Sequence, residues 1–252
     1  MNEGLPLPLA AAGRLADVWV YLSATPLLGL TATLLIYHGA FLIYRRSGFH
    51  PLANPVAMAV LALGTLLWAT NTPYGTYFEG AQFVHFLLGP ATVALAVPLF
   101  EQLARLKRLW LPIAGALVAG TLAATVTAMG VGWALGASRA TLASLAPKSV
   151  TTPVAMGIAE KIGGLPSLTA VLVVSTGIVG AASARFLFDA LRIQDPVVRG
   201  FALGSAAHGI GTARAFQVSE EMGAFAGLAM GLSALFSAVA LPLVAGWLLR
   251  WI

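Results

Sequence analysis

Long apolar runs alternate with short polar breaks along almost the whole chain. Runs over 18–44, 52–70, 77–104, 109–136, 165–188, 197–218 and 221–250 approach or exceed the roughly 20 residues that a helix needs to cross a hydrocarbon core, and 140–161 is apolar but broken. The pattern predicts an all-α polytopic membrane protein with about seven or eight transmembrane or re-entrant helical segments. Trp19, Trp68, Trp110, Trp133, Trp247 and Trp251 all fall near the ends of these runs. An amphipathic ring gains most there, at the level of the lipid headgroups.

The breaks set the expected orientation. Arg45 and Arg46 follow the first run, and Arg105, Lys107 and Arg108 follow the third, whereas "NTPYGTYFEG" between the second and third has no basic residue. Basic loops mark the cytoplasmic side, which places the N-terminus outside. If 140–161 were a full crossing, the loop bearing Arg185, Arg192 and Arg199 would fall outside, away from the other basic clusters. If the segment dips in and returns, that loop is cytoplasmic. The centre of the segment, "APKSVTTP", supports the second arrangement. Pro147 and Pro153 each remove an amide donor and clash with the preceding turn, and Lys148 is costly against lipid. Irregular backbone at membrane depth is tolerated only where protein surrounds it. The stretch is therefore expected to be re-entrant or discontinuous.

Composition agrees with the pattern and narrows the function classes. Hydrophobic residues make up 59% of the chain and charged residues 9%, with a mean hydropathy of +0.88. Soluble domains carry about 25% charged residues, so the chain cannot clothe a water-facing surface. The net charge of +5 resides in short clusters between apolar runs, a topological signal that gives no reason to expect nucleic acid as a partner. The absence of cysteine removes disulfides, thiolate metal sites and cysteine nucleophiles. The start, "MNEGLPLPLAAAGR", lacks a basic region before an apolar run, so no cleaved signal peptide is expected.

The chain reads as one integral membrane domain over 1–252, with halves at 15–110 and 138–252. "HFLLGPATVAL" from His85 and "HGIGTARA" from His208 share a histidine, glycines and a polar step before the apolar pattern resumes. With 140–161 re-entrant, the two enter from opposite sides. Inverted repeats with discontinuous helices near the midplane are a common way to build a substrate site in secondary transporters.

Three interrupted stretches compete for the chemistry: "LLGPATVALA", "PKSVTTP" and "HGIGTAR". Each pairs a helix-breaking glycine or proline with hydroxyls, and a half-helix start presents free N–H groups that suit an anion. Thr92, Ser149, Thr151, Thr152 and Thr212 supply neutral donors. Lys148, His208 and Arg214 supply positive charge, while Gly209 and Gly211 permit the break. Arginine can hold a carboxylate in a two-pronged grip, and a histidine titrating near neutrality can couple transport to protons. The set fits a small organic anion. Serine and threonine in membrane helices also commonly bond back to their own helix or join neighbours. Lys161 is expected to reach a headgroup along its stem, and Gly223, Gly227 and Gly231 to form a helix-packing face open to homo-oligomer contacts. No nucleophile turn, phosphate loop or metal-ligand spacing is present. Neither an enzyme, a metal nor a cofactor is expected.

"LLGPATVALAVPL", "PKSVTTPVAM", "KIGGLPSLTAV", "RGFALGSAAHGIGTARA" and "GAFAGLAMGL" together resemble the LrgB/CidB family of bacterial membrane proteins, over Pro51 to Pro242. The resemblance implies a multi-pass protein of the cytoplasmic (inner) membrane that works with a small LrgA/CidA-type membrane partner. Two functions follow from it. Relatives that carry glycolate and glycerate, or are linked to pyruvate uptake, imply a secondary transporter of small 2-oxo or 2-hydroxy monocarboxylates. The alternative is a holin- or antiholin-like regulator of murein hydrolase activity and autolysis. Gly157 stands where some members have a glutamate, so no acidic role carries over to it, and His85 stands at a variable position.

Overall fold

A computed structural model of the protein describes residues 26–50, 53–87, 90, 93–94 and 96–251. Among them the only regular structure is helix: α1 (Pro26–Arg46), α2 (Pro55–Ala69), α3 (Tyr74–Phe86), α4 (Ala96–Glu101), α5 (Leu103–Arg108), α6 (Trp110–Ala134), α7 (Arg139–Leu145), α8 (Thr152–Lys161), α9 (Pro166–Ala190), α10 (Pro196–Val218) and α11 (Glu220–Leu248). Helices α1, α6, α9 and α11 are long and apolar enough to cross a bilayer. The all-α membrane class expected from the hydropathy pattern is the observed one. Within the expected run at 77–104, α3 ends at Phe86, and the described residues Pro90, Val93 and Ala94 are helical ahead of α4. The run at 52–70 yields the 15 residues of α2, about 22 Å of helix at 1.5 Å per residue.

The chain forms two compact units, Met1–Val93 and Ala94–Ile252. In the first, α1 packs on both α2 and α3. Thr33 and Tyr77 share a hydroxyl hydrogen bond of 2.8 Å between α1 and α3. A Cβ at Gly29 would strike the Tyr77 carbonyl, so glycine is what brings these helices together. Asn54 caps α2 by accepting from the amides of Val56 and Ala57.

The second unit is built inside out relative to a soluble domain. Its buried positions are mostly small, with Ala143, Ser144, Ala155, Ala159, Ala207, Ala226 and Ala229 among them, while Val126, Val131, Leu235, Val239 and Leu243 are exposed. Lipid provides no hydrophobic drive between helices, so close approach of small residues holds them together. In α11 the buried stripe runs through Ala229, Ser233, Ser237, Leu241 and Ala245, a four-residue spacing that keeps one face inward.

Two stretches of this unit reverse inside it. After α6, the short α7 runs back along it: Gly132 lies against Leu142 and Leu145, and Thr125 Oγ1 donates to the Ala146 carbonyl at 3.3 Å. Thr125 is near the middle of α6, so α7 ends at mid-depth. The chain then turns through 146–151, and α8 returns, because Ile162 packs with Met129, Leu142, Ala245 and Leu249 at the level where α7 began. The re-entrant arrangement expected for 140–161 is the one these contacts describe. Where the stretch ends, the Leu165 amide donates to Ser144 Oγ (2.8 Å) and Thr169 Oγ1 to the Ser144 carbonyl (3.3 Å), anchoring the start of α9.

The second reversal lies in α10. Its helical backbone is broken at His208, where φ is 41° and ψ −131°. A Cβ on Gly211 would meet the Leu203 carbonyl, although eight residues of continuous helix would separate the two by about 12 Å. Gly200 and Gly204 rest on Met222 and Ala226 of α11, while Phe216 covers Gly223. The half 196–207 therefore runs alongside α11, and 209–218 comes back beside it. The hydropathy reading of 197–218 as a crossing is corrected here: the stretch is long enough to span but is folded into a second hairpin. Asp195 caps its start, accepting from the amides of Val197 and Val198. Ser219 caps α11, accepting from the Met222 amide.

The side from which the second hairpin enters is the basic one. Arg105, before α6, bonds to Glu221 in the first turn of α11. Arg199 Nη2 donates to Asp189 Oδ1 at 2.7 Å, and the Arg199 guanidinium lies 5.5 Å from the Phe188 ring centre. The clusters around 105–108 and 185–199 thus share a side. Trp133, Trp247 and Trp251 mark the opposite one, with Trp247 and Trp251 in edge contact at 6.1 Å.

Candidate functional site

Both hairpin tips point into the second unit from opposite sides. In the first, Pro147 is fully buried and Val150 packs with Ala155, Ile158, Val173 and Leu241. Lys148 Nζ donates to Ser149 Oγ at 3.3 Å, and both residues are half-buried. Thr151 is the cap residue of α8, but its side chain makes no capping hydrogen bond. Thr152 follows, half-buried in the first turn.

The second tip is held by its neighbours. His208 is 5% exposed, and its Nε2 lies 2.9 Å from the Val173 carbonyl of α9. A carbonyl oxygen only accepts, so Nε2 carries the proton in this contact. Gly177, one turn further along α9, makes room for the ring, since a Cβ there would strike His208 and Ile210. Thr212 Oγ1 donates to the His208 carbonyl at 2.8 Å and lies 3.9 Å from Met230 Sδ. Gly209 is exposed at the tip and Gly211 is buried against Leu203.

The structure thus brings together Lys148, Ser149, Thr151, Thr152, His208, Gly209, Gly211 and Thr212 around two adjoining tips. Val173 links them, packing on Val150 through its side chain and bonding His208 through its carbonyl. Arg214 does not join them. It is half-buried six residues past the turn, toward the basic side, and donates to Gln217 Oε1 at 3.4 Å. Glu221 is bonded to Arg105. Thr92 lies outside the described residues, as does much of "LLGPATVALA".

Sequence reasoning missed the hydroxyls that face the tips. A small cavity of about 10 Å³ lies among α6, α11 and both hairpins, lined by Thr121, Thr125, Ser149, Ser205, Ser233 and Ser237. Its signal in the sequence is Ser233 and Ser237, one helical turn apart in an otherwise apolar helix, a spacing that puts both hydroxyls on one face. The glycine face expected at Gly223, Gly227 and Gly231 is only partly a packing face. Gly223 lies under Phe216, but nothing lies within 4 Å of a Cβ at Gly231. The tight glycine contacts with α11 come from Gly200 and Gly204 on α10. Among the described residues, no group of three or more acidic or histidine side chains is placed to hold a metal.

The sequence model of the LrgB-like family matches residues 33–247. The antiholin-like proteins LrgB of Bacillus mycoides (strain KBAB4), Bacillus cereus (strain B4264) and Bacillus anthracis (strain CDC 684 / NRRL 3495) are each 30% identical over 219 residues, covering 87% of this chain and 95% of theirs. No solved structure matches the chain.

Proposed function

The chain belongs to the LrgB-like family, and from that premise we propose that it is an antiholin-like protein of the bacterial cytoplasmic membrane. In this reading it restrains murein hydrolase activity and autolysis together with a small LrgA/CidA-type membrane subunit. Its relatives carry the antiholin-like name over nearly their full length. The clustering of Arg105, Arg108, Arg185, Arg192 and Arg199 supports a cytoplasmic basic side and an N-terminus outside. Neither this reading nor the next needs a catalytic residue or a cofactor. Deleting the gene, alone and with that of its partner, tests the proposal: detergent-induced lysis should speed up, and restoring this chain should slow it again.

A second reading is favoured by one observation, the meeting of two half-helix hairpins from opposite sides over shared hydroxyls. Regulation by subunit association alone has no use for that construction, whereas a solute path does. In this reading the protein moves small 2-oxo or 2-hydroxy monocarboxylates of the pyruvate, glycolate and glycerate class. Lys148 supplies positive charge, and the free amides at the starts of α8 and of 209–218 favour an anion. His208 acts by position, because its Nε2 proton is engaged by Val173. Uptake of labelled pyruvate into proteoliposomes, with and without the partner subunit, is the test. Lysis control without uptake in either preparation would leave the first reading alone.

A further inference from the structure

Serine and threonine in a membrane helix ordinarily return their hydroxyl proton to the carbonyl one turn back. This protein follows that habit widely. Thr33 donates to Gly29, Thr127 to Ala123, Ser183 to Val179 and Ser205 to Phe201. Ser233 and Ser237 do not. They are 3% and 0% exposed, and neither hydroxyl has a hydrogen-bond partner among the described residues. Both line the cavity between the hairpin tips. A buried hydroxyl without a partner is destabilising, and a pair of them in one cavity marks a place built for a polar guest.

We propose that Ser233 and Ser237 form the central seat for the carboxylate of a small monocarboxylate, reached from the basic side through the cleft between α6 and α10. This rests on the transport reading above. The chemistry of the walls selects an anion. Among apolar residues such as Val150 and Leu241 the cavity presents the uncommitted hydroxyls of Ser233 and Ser237, no acidic side chain lines it, and the Lys148 ammonium sits on Ser149 at its edge. Two hydroxyls one turn apart can each donate to one carboxylate oxygen.

The geometry also supplies the route. A cleft of about 570 Å³ opens beside Arg105, Arg108 and Asp195 and runs inward between α6 and α10 as far as Ala124 and Ser205. Those same two residues line the serine cavity, so the cleft ends where the seat begins. Arg108 stands at its mouth beside Asp195 and beside Arg105, whose charge is paired with Glu221. The seat itself holds about 10 Å³, which is room for about one water. A three-carbon acid therefore fits the seat only if the tip at 146–151 draws back from α11.

The test uses the full chain in proteoliposomes with its partner subunit and pyruvate as the probe. The double variant Ser233→Ala/Ser237→Ala should lose about a hundredfold in uptake, the loss expected from two hydrogen bonds to a charged group. Its thermal stability should hold or rise, since no native bond is removed. Ser183→Ala, whose hydroxyl serves its own helix, should transport normally. Independently, Ser237→Cys creates the chain's sole thiol. A water-soluble methanethiosulfonate should label it from the basic side, and pyruvate, but not chloride, should slow that labelling. Normal uptake by the double variant overturns the seat. If the parent protein carries no pyruvate, the transport reading fails, and the thiol experiment alone decides the seat: pyruvate protection supports it, and unprotected or absent labelling overturns it.

Discussion

The two hairpins reach similar depth by different means. The first takes six residues, 146–151, to turn, and prolines at 147 and 153 keep either half from continuing into the other. The second turns at one residue, a histidine in a backbone conformation that side chains rarely adopt. What proline does locally in the first, neighbours impose on the second: the Val173 carbonyl takes the ring, Thr212 ties down the turn, and Gly200, Gly204 and Gly211 let backbones meet. A reversal inside a membrane can be written into its own few residues or enforced by the helices around it.

That difference can be broken by experiment, beginning with the largest effect. Gly204→Ala puts a Cβ into the backbone of Ala226, where neither helix can yield cheaply. It should cost about 3 kcal/mol, at the upper end of overpacking, read as a lower melting temperature in detergent. Gly157→Ala on the first hairpin meets open space and should leave melting unchanged. Equal damage from both would end the distinction between a self-made and an imposed turn. His208→Ala removes the clamp on Val173 and should cost about 2 kcal/mol, with His208→Gly milder because glycine accepts the positive φ. Thr212→Val deletes only the hydroxyl that ties the turn and should cost about 1 kcal/mol. Smallest of all, Arg105→Ala breaks an ion pair that is partly open to solvent, and melting should shift by less than about 1 kcal/mol, less still in high salt.

Much of this architecture was legible in the sequence, and the limits have physical causes. The spans α6, α9 and α11 follow from apolar length, and the tryptophans at 110, 133 and 247 mark their ends. Pro147, Lys148 and Pro153 announced the first hairpin because each conflicts with a continuous lipid-facing helix. The second was hidden because 197–218 is apolar and long enough to cross. Gly209 and Gly211 indicated a break, but the reversal depends on where α9 and α11 stand. At the site, Lys148, Ser149, His208 and Thr212 were found through their proximity to helix breakers. Ser233 and Ser237 were passed over because they sit in an unbroken helix with no breaker nearby. Arg214 drew notice for its charge, yet six helical residues carry it away from the turn.

The central placement of the tips also bears on how the membrane potential acts. Each hairpin carries protein backbone and polar groups only partway in, and Val150, Leu241 and the serines lie between the tips. A potential of 100 mV is worth about 2.3 kcal/mol per elementary charge. In the transport reading, the share of it felt at Ser233 and Ser237 is set by how far water reaches along the cleft from the basic side. In that same reading, an anion moving between the tips carries its charge through part of the field, which makes its passage sensitive to voltage without any dedicated sensor helix.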